Sequence, residues 1–274
     1  MGKISITAVM FSFFVSSLLG PVLIPFLRWL KCGQMVRSDG PAAHLKKMGT
    51  PTMGGILILF SVTATSLLFI KDYPRIAPVL LLTVGFGLVG LMDDYIKVVC
   101  GRSMGLSPWQ KLLGQLLVTG IFVWYLTRYT DVSLAMRVPF MPGRYLDFGA
   151  WNIPILFFVT LGTANGTNFT DGLDGLAGSV TLMVAVFFSV VAIGTSSGIE
   201  PVTCAVAGAL MGFLLFNVHP AEVFMGDTGS LALGGFVAGC GYMLQMPLYI
   251  AFIGVIYLVD VCSFILQLVY YKIR

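Results

Sequence analysis

IAPVLLLTVGFGLVGLMDDYIK, residues 76–97, is an apolar run closed by two adjacent carboxylates. Residues 76–92 carry no charge, and a membrane span needs about 20 mostly apolar residues. Asp93 and Asp94 sit where that run ends, and paired carboxylates there repel each other and are costly to desolvate. They persist cheaply where a divalent cation or a lysine neutralises them. Lys97 is one helical turn away on the same face. A solvated helix end with a simple ion pair would look the same in isolation. The stretch predicts a helix that crosses lipid and brings ionisable groups to one membrane surface.

The rest of the chain repeats the apolar half of this pattern. Apolar residues make up 57% of the 274 positions and charged residues 10%, against about 25% charged in soluble proteins. So few charges cannot cover a water-facing surface, and lipid must be the main solvent. No long polar stretch separates a second unit, so residues 1–274 read as one integral-membrane domain. The fold class expected is an all-α polytopic transmembrane helix bundle. Nine candidate spans fall at about 4–30, 52–70, 76–92, 112–127, 151–163, 176–193, 202–216, 230–246 and 248–271. The first is too long for a signal core and lacks a small-residue cleavage site. Many of the 32 glycines lie inside spans, where small residues let helices pack closely. The net charge of +4 is not massed on one segment and gives no support for nucleic-acid binding. Cys32, Cys100, Cys204, Cys240 and Cys262 are scattered, which argues against a disulfide set or a zinc site.

With nine spans the loops alternate between two sides. One side collects Arg28, Lys31, Arg37, Lys46, Lys47, Lys97, Arg102, Lys111, Lys272 and Arg274; the other collects Lys3, Lys71, Arg75, Arg128, Arg137 and Arg144. The richer side is expected to face the cytoplasm. It also holds His44, Asp93, Asp94, Asn165, Asn168, Asp171, Asp174, Asn217, His219, Glu222 and Asp227. Loops that only connect helices would not concentrate carboxylates and amides on one face. A shared site at one mouth of the bundle would.

Three further segments feed that site. NGTNFTDGLDGLA, residues 165–177, mixes Asn, Asp, Thr and Gly between two apolar runs, with Asp171 and Asp174 three apart. A helix cap would explain one of these polar residues but leave the others without a role. FMGDTGSLALGG, residues 224–235, puts Asp227 at a helix start, where one or two carboxylates can hold Mg²⁺ while phosphate oxygens complete its shell and the helix N-terminus attracts phosphate. HLKKMGTPTMGG, residues 44–55, sets Lys47 in a Gly/Thr-rich flank, which alone reads as the basic border of a span. Carboxylates and lysines converging on one side suit metal-bridged phosphates. Phosphoryl transfer or phosphate-ester chemistry is the expected activity.

These four segments, in this order and spacing, resemble the polyprenyl-phosphate N-acetylhexosamine-1-phosphate transferase superfamily. The GTPTMGG spelling is similar to its phospho-N-acetylmuramoyl-pentapeptide-transferase branch. The resemblance runs from about Gly33 to Lys272. It implies transfer of phospho-N-acetylmuramoyl-pentapeptide from UDP-N-acetylmuramoyl-pentapeptide to undecaprenyl phosphate, giving lipid I and UMP for peptidoglycan synthesis at the inner membrane. It implies Mg²⁺ as cofactor, with Asp227 as the metal ligand. Asp93 and Asp94 match the catalytic pair, with Lys47 and Lys97 beside them. His44, Lys111, Asn165, Asn168, Asp171 and Asp174 match the substrate-binding set, and Phe224 matches an aromatic that stacks on uracil. The bilayer is an obligate partner, and a homodimer stays open as the assembly.

The chain departs from the family in places. Asp260, Ser263, Gln267 and Lys272 follow a ninth-helix pattern that usually has Glu at the Asp260 position, and Cys100 stands where relatives often have a basic residue. The family's His-rich loop and tenth span would lie beyond Arg274, so a C-terminally incomplete chain is expected. Two other readings within the superfamily remain: a UDP-N-acetylglucosamine transferase, or an inactive truncated homologue. A channel or carrier should show mid-membrane polar residues and repeated halves; Asp260 stands alone near mid-span and no repeat is evident.

Overall fold

Backbone polar groups cannot be left bare in lipid, and helices satisfy them within one segment. The computed structural model describes residues 2–30, 49–99 and 105–273. Its described helices are α1 (Gly2–Trp29), α2 (Gly55–Phe69), α3 (Ile76–Val99), α4 (Pro108–Tyr129), α5 (Asn152–Thr170), α6 (Leu176–Thr195), α7 (Glu200–Asn217), α8 (Gly226–Met243), the short α9 (Ile250–Ile253) and α10 (Val255–Ile273). The described strands are β1 (Met136–Arg137) and β2 (Tyr145–Leu146), paired antiparallel with Met136 opposite Leu146. The all-α expectation holds, and this small hairpin between α4 and α5 is the feature it lacked.

Among the described residues four helices are long and apolar enough to cross a membrane: α1, residues 76–98 of α3, α6 and α7. The segments Pro247–Ile253 and Val255–Tyr271 make a fifth if their 76° bend is taken as one broken span. That criterion does not establish the nine crossings expected from the sequence. At 15 residues α2 is short, and six of the 18 residues of α8 are glycine.

Two expected boundaries fall short of the observed helices. The third span was expected to stop at residue 92 and the fifth at 163. Helices α3 and α5 instead run on to Val99 and Thr170. Asp93, Asp94, Lys97, Asn165 and Asn168 therefore sit on terminal helical turns and not in loops. The polar groups look outward from a sequence window, but they find partners inside the bundle.

Helix α8 is the centre, buried at every position from Thr228 to Met243. Helix α3 crosses it antiparallel, with Gly235 against the Leu82 backbone and Gly90 against the Asp227 carbonyl. On another side, Thr167 of α5 donates to the Ser230 carbonyl at 2.8 Å. Helix α1 runs parallel to α7, where Ser16 donates to the Ala209 carbonyl at 3.0 Å. The segment before α2 joins the turn before α8 through Gly54 N to Phe224 O and Phe224 N to Pro51 O, both 2.8 Å. These pairings gather the C-terminal ends of α3 and α5 and the N-terminal ends of α4 and α8 at one mouth.

Gly90 tests the central crossing. A Cβ there would collide with the Asp227 carbonyl, so Gly90→Val should push α3 off α8 and lower stability by roughly 1–3 kcal/mol. Gly162 has open space where its Cβ would be, so Gly162→Ala should leave the melting temperature in detergent unchanged or slightly higher. Equal melting of Gly90→Val and the parent would remove the close crossing.

Candidate active site

Neighbouring residues on a helix point about 100° apart, and Asp93 and Asp94 use that divergence. Asp94 faces α8. Its Oδ1 accepts from Asp227 N at 3.2 Å, and its Oδ2 accepts from Thr228 N at 2.9 Å and Thr228 Oγ1 at 2.6 Å. Helix α8 has no side-chain cap of its own; Asp94 provides one from another helix. A carboxylate is favoured there by the positive end of the helix dipole. Gly226, at φ +73°, turns the chain into α8 in the left-handed region, and a Cβ on it would meet Asp94 Oδ2 and Thr52 Oγ1. Glycine satisfies both demands.

Asp93 faces the other way. Its Oδ1 accepts from Leu106 N at 2.8 Å, holding the strand of chain that enters α4. Lys97, four residues on, forms an ion pair with its Oδ2. Helix α4 starts with a capping box: Gln110 N donates to Ser107 Oγ at 3.3 Å and Ser107 N to Gln110 Oε1 at 2.9 Å, with Pro108 at the first turn. That start aims Lys111 back into the mouth.

Asp227 receives the rest. Lys97 and Lys111 each donate to its Oδ2 at 3.0 Å. Asn168, from the last turn of α5, donates to Asp227 Oδ1 and to Ser230 Oγ, both at 2.8 Å. The Asp93 side chain is 4% exposed and that of Asp227 18%, so Asp227 is the more open of the two. Four helices thus contribute to one polar cluster.

The cluster suits a divalent cation. One oxygen from each of Asp93, Asp94 and Asp227 can lie within 4.8 Å of the others. Opposite ligands of an octahedral Mg²⁺ stand about 4.2 Å apart, so small rotamer shifts would bring these oxygens into one shell. Three carboxylates against Lys97 and Lys111 leave one formal negative charge, which a divalent cation reverses. The lysines on Asp227 would then be available to an anionic ligand.

The structure gathers Asp93, Asp94, Lys97, Lys111, Asn168 and Asp227. Asn165 lies one turn deeper, half-buried, donating to Gln115 Oε1 at 3.0 Å and the Leu161 carbonyl at 2.8 Å, and Gln115 is buried. Asp174 belongs to a neighbouring cluster, 2.9 Å from His219 Nδ1 and 3.4 Å from Ala221 N. There Asn217 accepts from Gly175 N at 3.1 Å and donates to the Val223 carbonyl at 2.9 Å. These bonds hold the 218–223 turn that carries the chain to Phe224. Asp171 lies just after α5, on the 171–175 turn that also carries Asp174. His44 and Lys47 lie outside the described residues, as does Cys100. Asp260 on α10 accepts from Thr170 Oγ1 at 2.7 Å, a polar contact that ties α10 to α5.

Thr52, Thr228, Ser230 and the Leu106 amide are members of the site to which the sequence assigned no role of their own. The first three stand inside the segments at 44–55 and 224–235, so the signal was their company; only their partners reveal a role. The Leu106 amide left no mark in the sequence.

Known proteins resemble this chain over most of its length. The model for glycosyl transferase family 4 matches residues 76–245, from the start of α3 to just past α8. The phospho-N-acetylmuramoyl-pentapeptide-transferase signature 1 matches residues 47–59. The phospho-N-acetylmuramoyl-pentapeptide-transferase of Clostridium perfringens is 43% identical over 270 residues, covering 98% of this chain and 84% of the relative. That of Acetivibrio thermocellus is 46% identical over 265 residues, covering 96% and 80%. That of Bacillus pumilus is 40% identical over 275 residues, covering 98% and 84%.

Asp94 has both oxygens committed to α8, so its first effect should be on stability. Asp94→Ala is expected to cost roughly 0.5–2 kcal/mol as a lost helix cap, with more from the donors it strands. Thr228→Val, which removes one donor and keeps the shape, should cost about 1 kcal/mol. Thermal unfolding in detergent measures both, and an Asp94→Ala protein as stable as the parent would exclude the capping role.

Proposed function

The chain belongs to the phospho-N-acetylmuramoyl-pentapeptide-transferase family, and from that premise we propose that it moves phospho-N-acetylmuramoyl-pentapeptide from its UDP-linked precursor to undecaprenyl phosphate, giving lipid I and UMP. The single observation that supports this most is the convergence of Asp93, Asp94, Asp227, Lys97 and Lys111 at one mouth of an apolar bundle. A diphosphate and a phosphate meeting in one reaction need that mixture of acids and bases, and a polyprenyl acceptor needs the enzyme to sit in lipid.

In this reading a lipid phosphate oxygen forms a bond to the β-phosphorus of the nucleotide sugar. The bond from that phosphorus to the oxygen bridging to the α-phosphate breaks, and UMP leaves with the electron pair. Mg²⁺, held by Asp227 with Asp93 beside it, would offset the charge of the diphosphate. Lys97 and Lys111 exchange Asp227 for phosphate oxygens. Asp93 orients the attacking phosphate or accepts its proton, from a place fixed by Leu106 N. Asn168 holds Asp227 in register with Ser230. Asp94, the second of the paired acids, keeps the start of α8 in place and can lend an oxygen to the cation. Lys47, His44, Asp171, Asp174 and Phe224 complete the nucleotide side. Alignment supplies much of the barrier reduction in such transfers, and four converging helices provide a rigid frame for it.

We further propose that the chain crosses the bacterial inner membrane nine times, with this mouth in the cytoplasm. The alternating directions of α1 to α8 and the lysine and arginine excess on that side support it.

Asp227→Asn should abolish lipid-dependent UMP release, by about a hundredfold or more as expected for loss of a charged transition-state contact, while the protein stays folded by circular dichroism. Exchange of labelled UMP into the nucleotide sugar should require the lipid phosphate. Exchange without lipid would replace direct attack by a covalent intermediate, and full Asp227→Asn activity would sink the site assignment.

Orientation is checked separately. Single cysteines at 107, 172 and 222 in a cysteine-free background should resist an impermeant maleimide in intact cells, and cysteines at 131, 143 and 196 should label. Labelling of any of the first three from outside would overturn the proposed topology.

A further inference from the structure

We propose that the β1–β2 hairpin, at the end of the bundle opposite the carboxylates, holds an anionic phospholipid of the adjacent leaflet. Its phosphate would sit on Arg137, and its glycerol and upper acyl carbons against Phe140 and Tyr249.

The hairpin is fixed in place. Arg137 N donates to the Gln245 carbonyl at 2.7 Å, and Gln245 Nε2 donates to the Ser133 carbonyl at 3.1 Å. Gln245 lies just past the end of α8, so the strands are tied to the central helix. Between the hairpin tip and Tyr249 is an open hollow of about 450 Å³, with Arg137, Phe140, Met141 and Tyr145 on its walls. Arg137 Nη2 donates to Tyr145 Oη at 3.3 Å, with the guanidinium carbon 5.8 Å from the ring centroid. Tyr145 therefore accepts, and its own proton can be donated to a phosphate oxygen. The remaining guanidinium donors suit the same group, since the planar fork matches phosphate geometry.

The surroundings belong at a membrane interface. Phe140 is 81% exposed and Trp151 71%, which a water-facing loop would not favour. Trp124, Tyr125 and Tyr129 cluster at the end of α4 beside the hairpin, and aromatic residues of this kind mark the headgroup level. A free phosphate would leave the apolar wall unused; an amphiphile uses both parts.

Charge selects the class of lipid. From Arg128 to Trp151 the cations are Arg128, Arg137 and Arg144 and the acids are Asp131 and Asp147. Asp147 is committed to Gly149 N at 2.9 Å and Asn152 Nδ2 at 2.6 Å, and these donors hold its carboxyl below its usual range. Asp131 lies ahead of the hairpin, in the turn that leaves α4. A second copy of the chain is the weaker occupant, because a twofold contact would set the three arginines against their own images.

The test is native mass spectrometry of the full chain released from phosphatidylcholine nanodiscs doped with phosphatidylglycerol. The parent should retain phosphatidylglycerol over phosphatidylcholine by about fivefold, the contribution of one arginine near anionic lipid. Arg137→Gln should remove that preference and Arg137→Lys should keep most of it, with equal melting temperatures in phosphatidylcholine alone. Phe140→Ser, at an exposed tip where folding is not at stake, should lower retention of both lipids. Millimolar glycerol 3-phosphate should not displace the lipid. Equal retention of the two lipids by the parent, no effect of Phe140→Ser, displacement by glycerol 3-phosphate, or a change in dimer fraction in place of lipid loss would each overturn the proposal.

Discussion

Three carboxylates have to share one end of a lipid-bound bundle, and the structure depends on how their repulsion is met. At about 4–5 Å each like-charged pair costs roughly 3–4 kcal/mol in a medium of effective dielectric near 20. Each acid has a different answer. Asp94 takes the amides of Asp227 and Thr228 and so rests on a helix dipole. Asp93 takes Leu106 N and Lys97. Asp227 takes two lysines and an asparagine. Because the donors come from α3, α4, α5 and α8, neutralising the acids is the same act as assembling the mouth. A buried charge that loses its partner is strongly destabilising, so the cluster also locks the helices together.

Close approach of α3 and α8 makes this geometry available. Asp94 reaches the first turn of α8 only because Gly90 lets the backbones nearly touch one turn earlier. The same requirement explains the composition of α8. A helix enclosed by protein on all sides gains more from small residues that admit neighbours than from large lipophilic ones. Its sixteen consecutive buried positions, from Thr228 to Met243, include five glycines: Gly229, Gly234, Gly235, Gly239 and Gly241. Lipid-facing helices obey the opposite rule, and α10 presents Phe264, Leu266 and Tyr270 outward.

That contrast explains what could be read from the sequence. Hydropathy marks α1, α3, α6 and α7 as long and apolar enough to cross a membrane, although α7 is mostly buried. The central helix carries six glycines in 18 residues, so a rule tuned to lipid exposure undercounts at the core. Helix ends were misplaced at Asp93 and Asn165 because polarity was read as loop. Polar residues on the last helical turns keep the helix going when another helix supplies their partners. The site was legible at the level of segments, since DDYIK, NGTNFTDG and FMGDTGS each carry more polar groups than a cap requires. Which residue does which task was not. Asp93 and Asp94 are indistinguishable as letters, and only their 100° divergence separates a group that caps α8 from one that faces Lys97.

The hairpin was illegible for a different reason. Two-residue strands leave no periodic trace, and Arg137 is held by Gln245, more than a hundred positions away in the chain. Yet its placement follows from the same central helix. An 18-residue helix is roughly 27 Å long, close to the hydrocarbon thickness of a bilayer. Asp227 sits at one end of α8 and the Gln245 contact lies just past the other. A single rigid, fully enclosed rod therefore sets the separation between a polar cluster suited to phosphates and a basic, aromatic hairpin suited to headgroups. A shift of α8 along its axis would disturb both together, and the glycine contacts that hold it against α3 and α5 fix that axis from end to end.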